Sequence, residues 1–106
     1  MSRSEKQLQA ACERICAMNG FRRRTTRMIN AGPPPGGWFV HLPRARGNPL
    51  VLDLLVLHRD GRYLEVELKT ATGRVQRHQR QLVEQAPHHH LVRSAQEFAN
   101  LLGAWR

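Results

Sequence analysis

Cysteine, aromatic residues and acids are all scarce in this sequence. Two cysteines, Cys12 and Cys16, occur in 106 residues, too few for a disulfide-stapled scaffold. Aromatic residues make up 6%, so the core is expected to be mostly aliphatic. No apolar run approaches the roughly 20 residues that a membrane helix needs. The opening MSRSEKQLQ has none of the apolar character of a signal peptide. The expectation is therefore a protein that is neither exported nor membrane-spanning and that works in the cytoplasm. Its length fits one domain, residues 1–106.

The shortage of acids is what defines the charge. Eight Asp and Glu stand against 17 Lys and Arg, a formal +9. An excess of this sign favours a polyanionic partner, nucleic acid first and anionic lipid second. Fifteen of the 17 cations are arginine, whose fork matches phosphate oxygens and which stays charged everywhere. Only Lys6 and Lys69 are lysine. Four of the eight acids, Asp53, Asp60, Glu65 and Glu67, fall within residues 53–69. Carboxylates gathered in the middle of a basic chain point to chemistry on the polyanion as well as binding.

Along the chain, Leu8, Ala11, Cys12 and Ile15 recur at helical spacing, and the Ser2/Glu5 and Ser4/Gln7 pairs have capping-box spacing. Asn19-Gly20 is a stop signal. Residues 21–30 read as extended, and AGPPPGG at 31–37 as a loop, since proline removes backbone donors. A strand is expected over 38–42, a basic loop over 43–49, strands over 50–57 and 62–69, a helix over 75–86 stopped by Pro87, a strand over 89–93 and a final amphipathic helix. Ser94 and Glu97 open that helix as a second capping box. The order α-β-β-β-α-β-α predicts an α/β fold, a central mixed sheet flanked by helices.

Register decides what the two central strands bring together. A two-residue turn at Asp60-Gly61 sets Asp53 opposite Leu68, among the aliphatics. A three-residue turn, Arg59-Asp60-Gly61, sets it opposite Glu67 on the face of Glu65 and Lys69. Three-residue hairpins commonly end on a left-handed glycine, which Gly61 supplies, and only this register separates the acids from Leu64, Val66 and Leu68. Facing side chains then have Cβ atoms about 4.5–5.5 Å apart. Two carboxylates at that range repel and call for a cation between them. Oxygen donors suit Mg²⁺ or Mn²⁺, with Lys69 alongside to orient water or steady charge on phosphorus. The alternative for such a strand is a solvated face with a cross-strand ion pair. Against it, an aspartate in an aliphatic strand costs several kcal/mol, on the order of 2–7, if buried without a partner.

Asp53 followed by Glu67-Leu68-Lys69 resembles the D…(D/E)xK signature of the PD-(D/E)xK nuclease superfamily. The longer stretch LDLLVLHRDGRYLEVELKTATGRVQRHQRQLVEQ resembles its VRR-NUC (virus-type replication-repair nuclease) family, through Asp53, Glu67, Lys69, Thr70, Gly73, Arg74 and Gln79. Glu5 and Gln9 match a helix that often supplies an acid, and LVRSAQEF resembles the closing strand and helix. Three departures stand out. Leu52 replaces the proline of the superfamily name, Gln76-Arg77 replace a Ser-Pro pair, and Glu65 is an extra acid.

The resemblance implies a restriction-endonuclease-like core and a divalent-metal-dependent endodeoxyribonuclease. It implies that Asp53, Glu67 and the backbone carbonyl of Leu68 hold Mg²⁺ or Mn²⁺. Lys69 then serves the attacking water, Gln79 positions Lys69, water or phosphate, and Glu5 is an outer acid. Short stand-alone members are similar to phage and bacterial homodimers that resolve four-way (Holliday) junctions, and two symmetric nicks need two sites about a two-fold axis. Residues 21–42 are the expected dimer region.

Arg22, Arg23, Arg24, Arg27, Arg44 and Arg46 are the foremost expected phosphate contacts, with Arg74, Arg77 and Arg80 a further stripe. Cys12 and Cys16 have no Cys or His partners at zinc-site spacing and are expected as buried core thiols. Glu65 is expected to be an exposed side chain, and His88-His89-His90 a loop entering a strand.

Overall fold

The computed structural model describes residues 3–41 and 53–105. Its elements are α1 (Arg3–Met18), β1 (Phe21–Arg23), α2 (Thr26–Ile29), β2 (Gly37–His41), β3 (Leu54–His58), β4 (Tyr63–Leu68), α3 (Arg77–Glu84), β5 (His89–Val92) and α4 (Ala95–Trp105). The expected extended stretch 21–30 is thus only partly a strand. It breaks into a one-turn helix because the Thr25 hydroxyl accepts the Met28 N–H at 3.2 Å and caps it. The expected loop 43–49 lies outside the described residues.

The five strands form one sheet in the order β1-β2-β3-β4-β5. The β1/β2 and β4/β5 pairs are parallel, and the β2/β3 and β3/β4 pairs antiparallel. The protein is therefore α/β with a mixed sheet flanked by helices.

Alternation along the strands divides the sheet into two chemically different faces. One face carries Phe21, Phe39, Leu54, Val56, Leu64, Val66, Leu68 and Val92. It buries them against Cys12 and Cys16 of α1 and Phe98 and Leu102 of α4. The aromatic share of this core is all three phenylalanines, with Trp105 stacked on Phe21 at 6.1 Å. The α4 start is capped as its sequence indicates: the Ser94 hydroxyl accepts the Glu97 N–H, and the Glu97 carboxylate accepts the Arg93 N–H. Among the described residues no helix is long and apolar enough to cross a membrane.

Burial pushes both core thiols up to about 12, from an ordinary value of 9.0, and the charge of Glu13 adds to the effect. The unfolded chain therefore loses its thiol protons first as pH rises, so these groups reduce stability between roughly pH 9 and pH 12. The denaturation midpoint is expected to fall over that window, and to fall less in the Cys12→Ala/Cys16→Ala variant. At about pH 8 a thiol reagent should label the cysteines only after denaturant is added, since the thiolate is the reactive form. Rapid labelling of the native protein would contradict their burial.

Candidate active site

The β3–β4 hairpin builds the site. The His58 N–H donates to the Arg62 carbonyl at 2.8 Å and the Gly61 N–H to the His58 carbonyl at 2.9 Å, closing a three-residue turn. Gly61 stands at φ +99°, the left-handed backbone that this turn needs. Asp60 secures the turn by accepting the Arg62 N–H at 3.0 Å. From this turn the register runs Leu57↔Tyr63, Val56↔Leu64, Leu55↔Glu65, Leu54↔Val66, as the segregation of acids from aliphatics requires.

At Asp53 the ladder departs from simple alternation. The Asp53 N–H donates to the Val66 carbonyl at 3.0 Å, although Val66 is already the partner of Leu54. Asp53 and Leu54 both stand against Val66, the two-against-one count of a β-bulge, a device that re-aims a side chain at the end of a strand. The Asp53 carboxylate reaches two residues further along β4, where Oδ2 accepts the Leu68 N–H at 2.8 Å. It meets β4 at the peptide that follows Glu67.

Glu67 is fully buried and Asp53 is 5% exposed. Glu67 is held from the other side of the hairpin by α3: the Gln79 Nε2 donates to Glu67 Oε1 at 2.8 Å. The remaining amide oxygen of Gln79 accepts the Gln76 N–H at 3.0 Å, so one side chain closes the start of the helix and fixes the acid. The helix begins at Arg77, two residues later than expected, because Gln76 serves as its cap. Gln79 is 2% exposed, and its amide is assigned to Glu67, not to Lys69. The Leu68 N–H and the Gln79 amide orient the two carboxylates.

Lys69 follows directly and is partly buried, its N–H donating to the Val92 carbonyl at 3.0 Å. Glu5 lies in the first turn of α1 and is partly buried.

The loop from Thr70 to Gly73 is pinned by a residue the sequence does not single out. The Arg93 Nη1 donates to the carbonyls of Thr70 and Gly73, both at 2.8 Å. Register alone hints at it: Leu68 pairs with Val92, so Arg93 is the neighbour of Lys69.

The expected phosphate contacts divide. Arg22, Arg23, Arg24, Arg27, Arg74, Arg77 and Arg80 are exposed. Of these, Arg23 is tied to Glu13 at 2.7 Å. Arg44 and Arg46 lie outside the described residues. Arg22 pairs with Trp38, which pairs with Leu57 and through it with Tyr63. That chain of partners puts Arg22 on the sheet face of Glu65 and Glu67, away from the aliphatic core. Trp38, Val40, Leu55 and Leu57 on this face are each partly exposed.

Glu65 differs from its expectation as an exposed side chain. It is partly buried, and its carboxylate lies 2.5 Å from the Nε2 of His89, the residue with which it pairs across β4 and β5. His88 is in the turn before β5 and His89 opens the strand, as expected for a loop entering a strand.

Comparison with protein-family models, with curated proteins and with solved structures finds no match for this chain.

Proposed function

We propose that this chain is a divalent-metal-dependent, structure-selective DNA endonuclease of the VRR-NUC type with a PD-(D/E)xK core, working as a homodimer on four-way junctions. The observation that carries the reading is the hairpin end. There a bulged Asp53 reaches the peptide after Glu67, and Glu67 is fully buried under the amide of Gln79. Two buried carboxylates brought to one end of the hairpin suit a hard cation. The donor set, carboxylate oxygens with the Leu68 carbonyl, fits Mg²⁺ or Mn²⁺ and not a softer ion.

Asp53, Glu67 and the Leu68 carbonyl would hold that ion. When bound, it supplies Lewis acidity toward a phosphoryl oxygen and makes water a better nucleophile. The chain's own residues do the rest. Gln79 keeps Glu67 in one rotamer, and the bulge aims Asp53. Lys69, the lysine next in line, places an ammonium where it can orient the attacking water and steady the charge that develops on phosphorus. Arginine would hold its proton throughout, which accounts for lysine at this one position. Glu5 acts as an outer acid. The exposed arginines hold the phosphate backbone and carry no base readout. Branch selectivity then arises from how two copies pair, and the half-exposed Trp38, Val40, Leu55 and Leu57 offer the apolar area for it within the 21–42 region and its neighbour strand.

The test is a panel of labelled four-way junction, flap and linear duplex with Mg²⁺, Mn²⁺ or EDTA. Paired nicks on the junction, lost in EDTA, are expected. Tight binding with no cutting under either metal would replace the nuclease with a basic nucleic-acid-binding module. Equal rates on plain duplex or preference for the flap would keep the nuclease and remove the junction claim.

A further inference from the structure

We propose that Glu65, His88 and His89 form a second cation site, for a divalent first-row transition metal of the zinc class, distinct from the oxygen-donor site at Asp53 and Glu67. Among the described residues these three place one ligand atom each within 4.8 Å of one another. Two imidazoles and one carboxylate are a set that zinc and its neighbours take, with positions left open for water or a further ligand. Imidazole is a poor ligand for Mg²⁺, so the two sites sort their ions by donor type.

The backbone fixes the group before any ion is considered. The Glu65 N–H donates to the His88 carbonyl at 2.8 Å, and the His89 N–H donates to the Ala86 carbonyl at 3.1 Å. The rings of His88 and His89 are in edge contact, their centroids 4.4 Å apart, and the Tyr63 ring also lies 4.4 Å from that of His88. All three ligands are partly buried, so water and ions reach them while their directions are constrained.

The hydrogen bonding of His89 is the second observation. Its Nδ1 contacts the Leu82 carbonyl of α3, and its Nε2 faces the Glu65 carboxylate. Both nitrogens thus face oxygen. An imidazolium satisfies both. So does a neutral ring with its proton on Nδ1 and a cation between Nε2 and the carboxylate. In the second arrangement the Nδ1–H to carbonyl bond is the outer support that metal-binding histidines regularly have, fixing tautomer and ring direction.

Ligand atoms about 2.0–2.1 Å from zinc stand about 3.3 Å apart at the tetrahedral angle. For an ion to be held, the 2.5 Å contact must open and the wider separations, up to 4.8 Å, must close. The ion would join β4, the turn before β5 and, through Leu82, the helix that carries Gln79.

The experiment titrates tag-free protein with Co²⁺, followed by visible d–d absorption, and then displaces it with Zn²⁺. A single equivalent with a four- or five-coordinate spectrum is expected. Its affinity should fall at least ~10-fold in His88→Ala and in Glu65→Gln, since even outer-shell losses reach that size. It should persist in the Asp53→Asn/Glu67→Gln variant. Zn²⁺ should also raise the thermal midpoint of the unaltered protein and not that of Glu65→Gln, whose isosteric side chain preserves the fold. No absorption, absorption that survives both single variants, or a thiolate charge-transfer band assigning the ion to Cys12 and Cys16 would overturn the site. None of these readouts depends on DNA cleavage, so failure here and failure of the nuclease reading are separable.

Discussion

Lys69→Ala is expected to lose junction cleavage by about 10²–10⁴-fold, the range for a group acting on a proton in the transition state, and to keep its affinity for DNA. The side chain is partly buried at the end of β4 and belongs to none of the core residues, so its removal leaves the fold intact. Loss should appear in kcat and kcat/KM alike, since the interaction is made in the transition state and not in the complex. Asp53→Asn and Glu67→Gln should abolish the response to Mg²⁺ and Mn²⁺ for another reason: they remove charge from the proposed oxygen donors. In Glu67→Gln the new amide can still present its oxygen to the Gln79 amide, so the variant reports on charge more than on folding. Gln79→Ala should show a smaller kinetic loss together with a stability loss of about 1–3 kcal/mol, because it strips a buried acceptor and a helix-start N–H of their partner. Single-turnover cleavage beside a binding titration of the same junction measures both quantities. Retained metal-dependent cutting in Asp53→Asn would sink the assignment of the oxygen site.

DNA affinity is expected to collapse with salt, by about 10³–10⁵-fold between 50 and 200 mM if six to ten phosphates are contacted. Seven of the arginines expected as phosphate contacts are exposed: Arg22, Arg23, Arg24, Arg27, Arg74, Arg77 and Arg80. Arg23 is engaged by Glu13 and should contribute less than its neighbours. Replacing Arg22 or Arg24 by Ala should lower the log–log salt slope by about one each, while Arg23→Ala changes it little. Fluorescence anisotropy over a salt series reads the slope directly. A flat response up to ~0.3 M would exclude a phosphate-dominated interface.

The hairpin shows how far local pattern reaches. Its turn, register and segregation of Glu65, Glu67 and Lys69 from Leu64, Val66 and Leu68 are legible because side-chain direction alternates strictly and Gly61 marks the left-handed position. The same logic stops one residue short of the site. A bulge at Asp53 leaves no mark on an alternating pattern, since it depends on which carbonyl the extra N–H finds. The one-turn helix after β1 is missed because it hangs on a single hydroxyl, that of Thr25. The reading of Glu65 as an exposed side chain fails for a related reason. Its partner His89 is brought alongside by a parallel pairing of strands that α3 separates in the chain.

By itself the sequence determined the composition of the two faces of the sheet, the buried thiols and the arginine-rich exterior, because each follows from hydrophobic periodicity or charge along a short segment. Only the tertiary structure decided which polar groups meet. Gln79 is twelve residues from Glu67, Asp53 fifteen from Leu68, and Arg93 twenty or more from the loop it holds. Contacts of that separation depend on how strands pair and where a helix settles, and a buried carboxylate takes whichever donor that packing delivers. The scarcity of acids thus acquires a location: two of the eight, Glu65 and Glu67, share one face of β4, where an imidazole of β5 and a buried amide of α3 meet them.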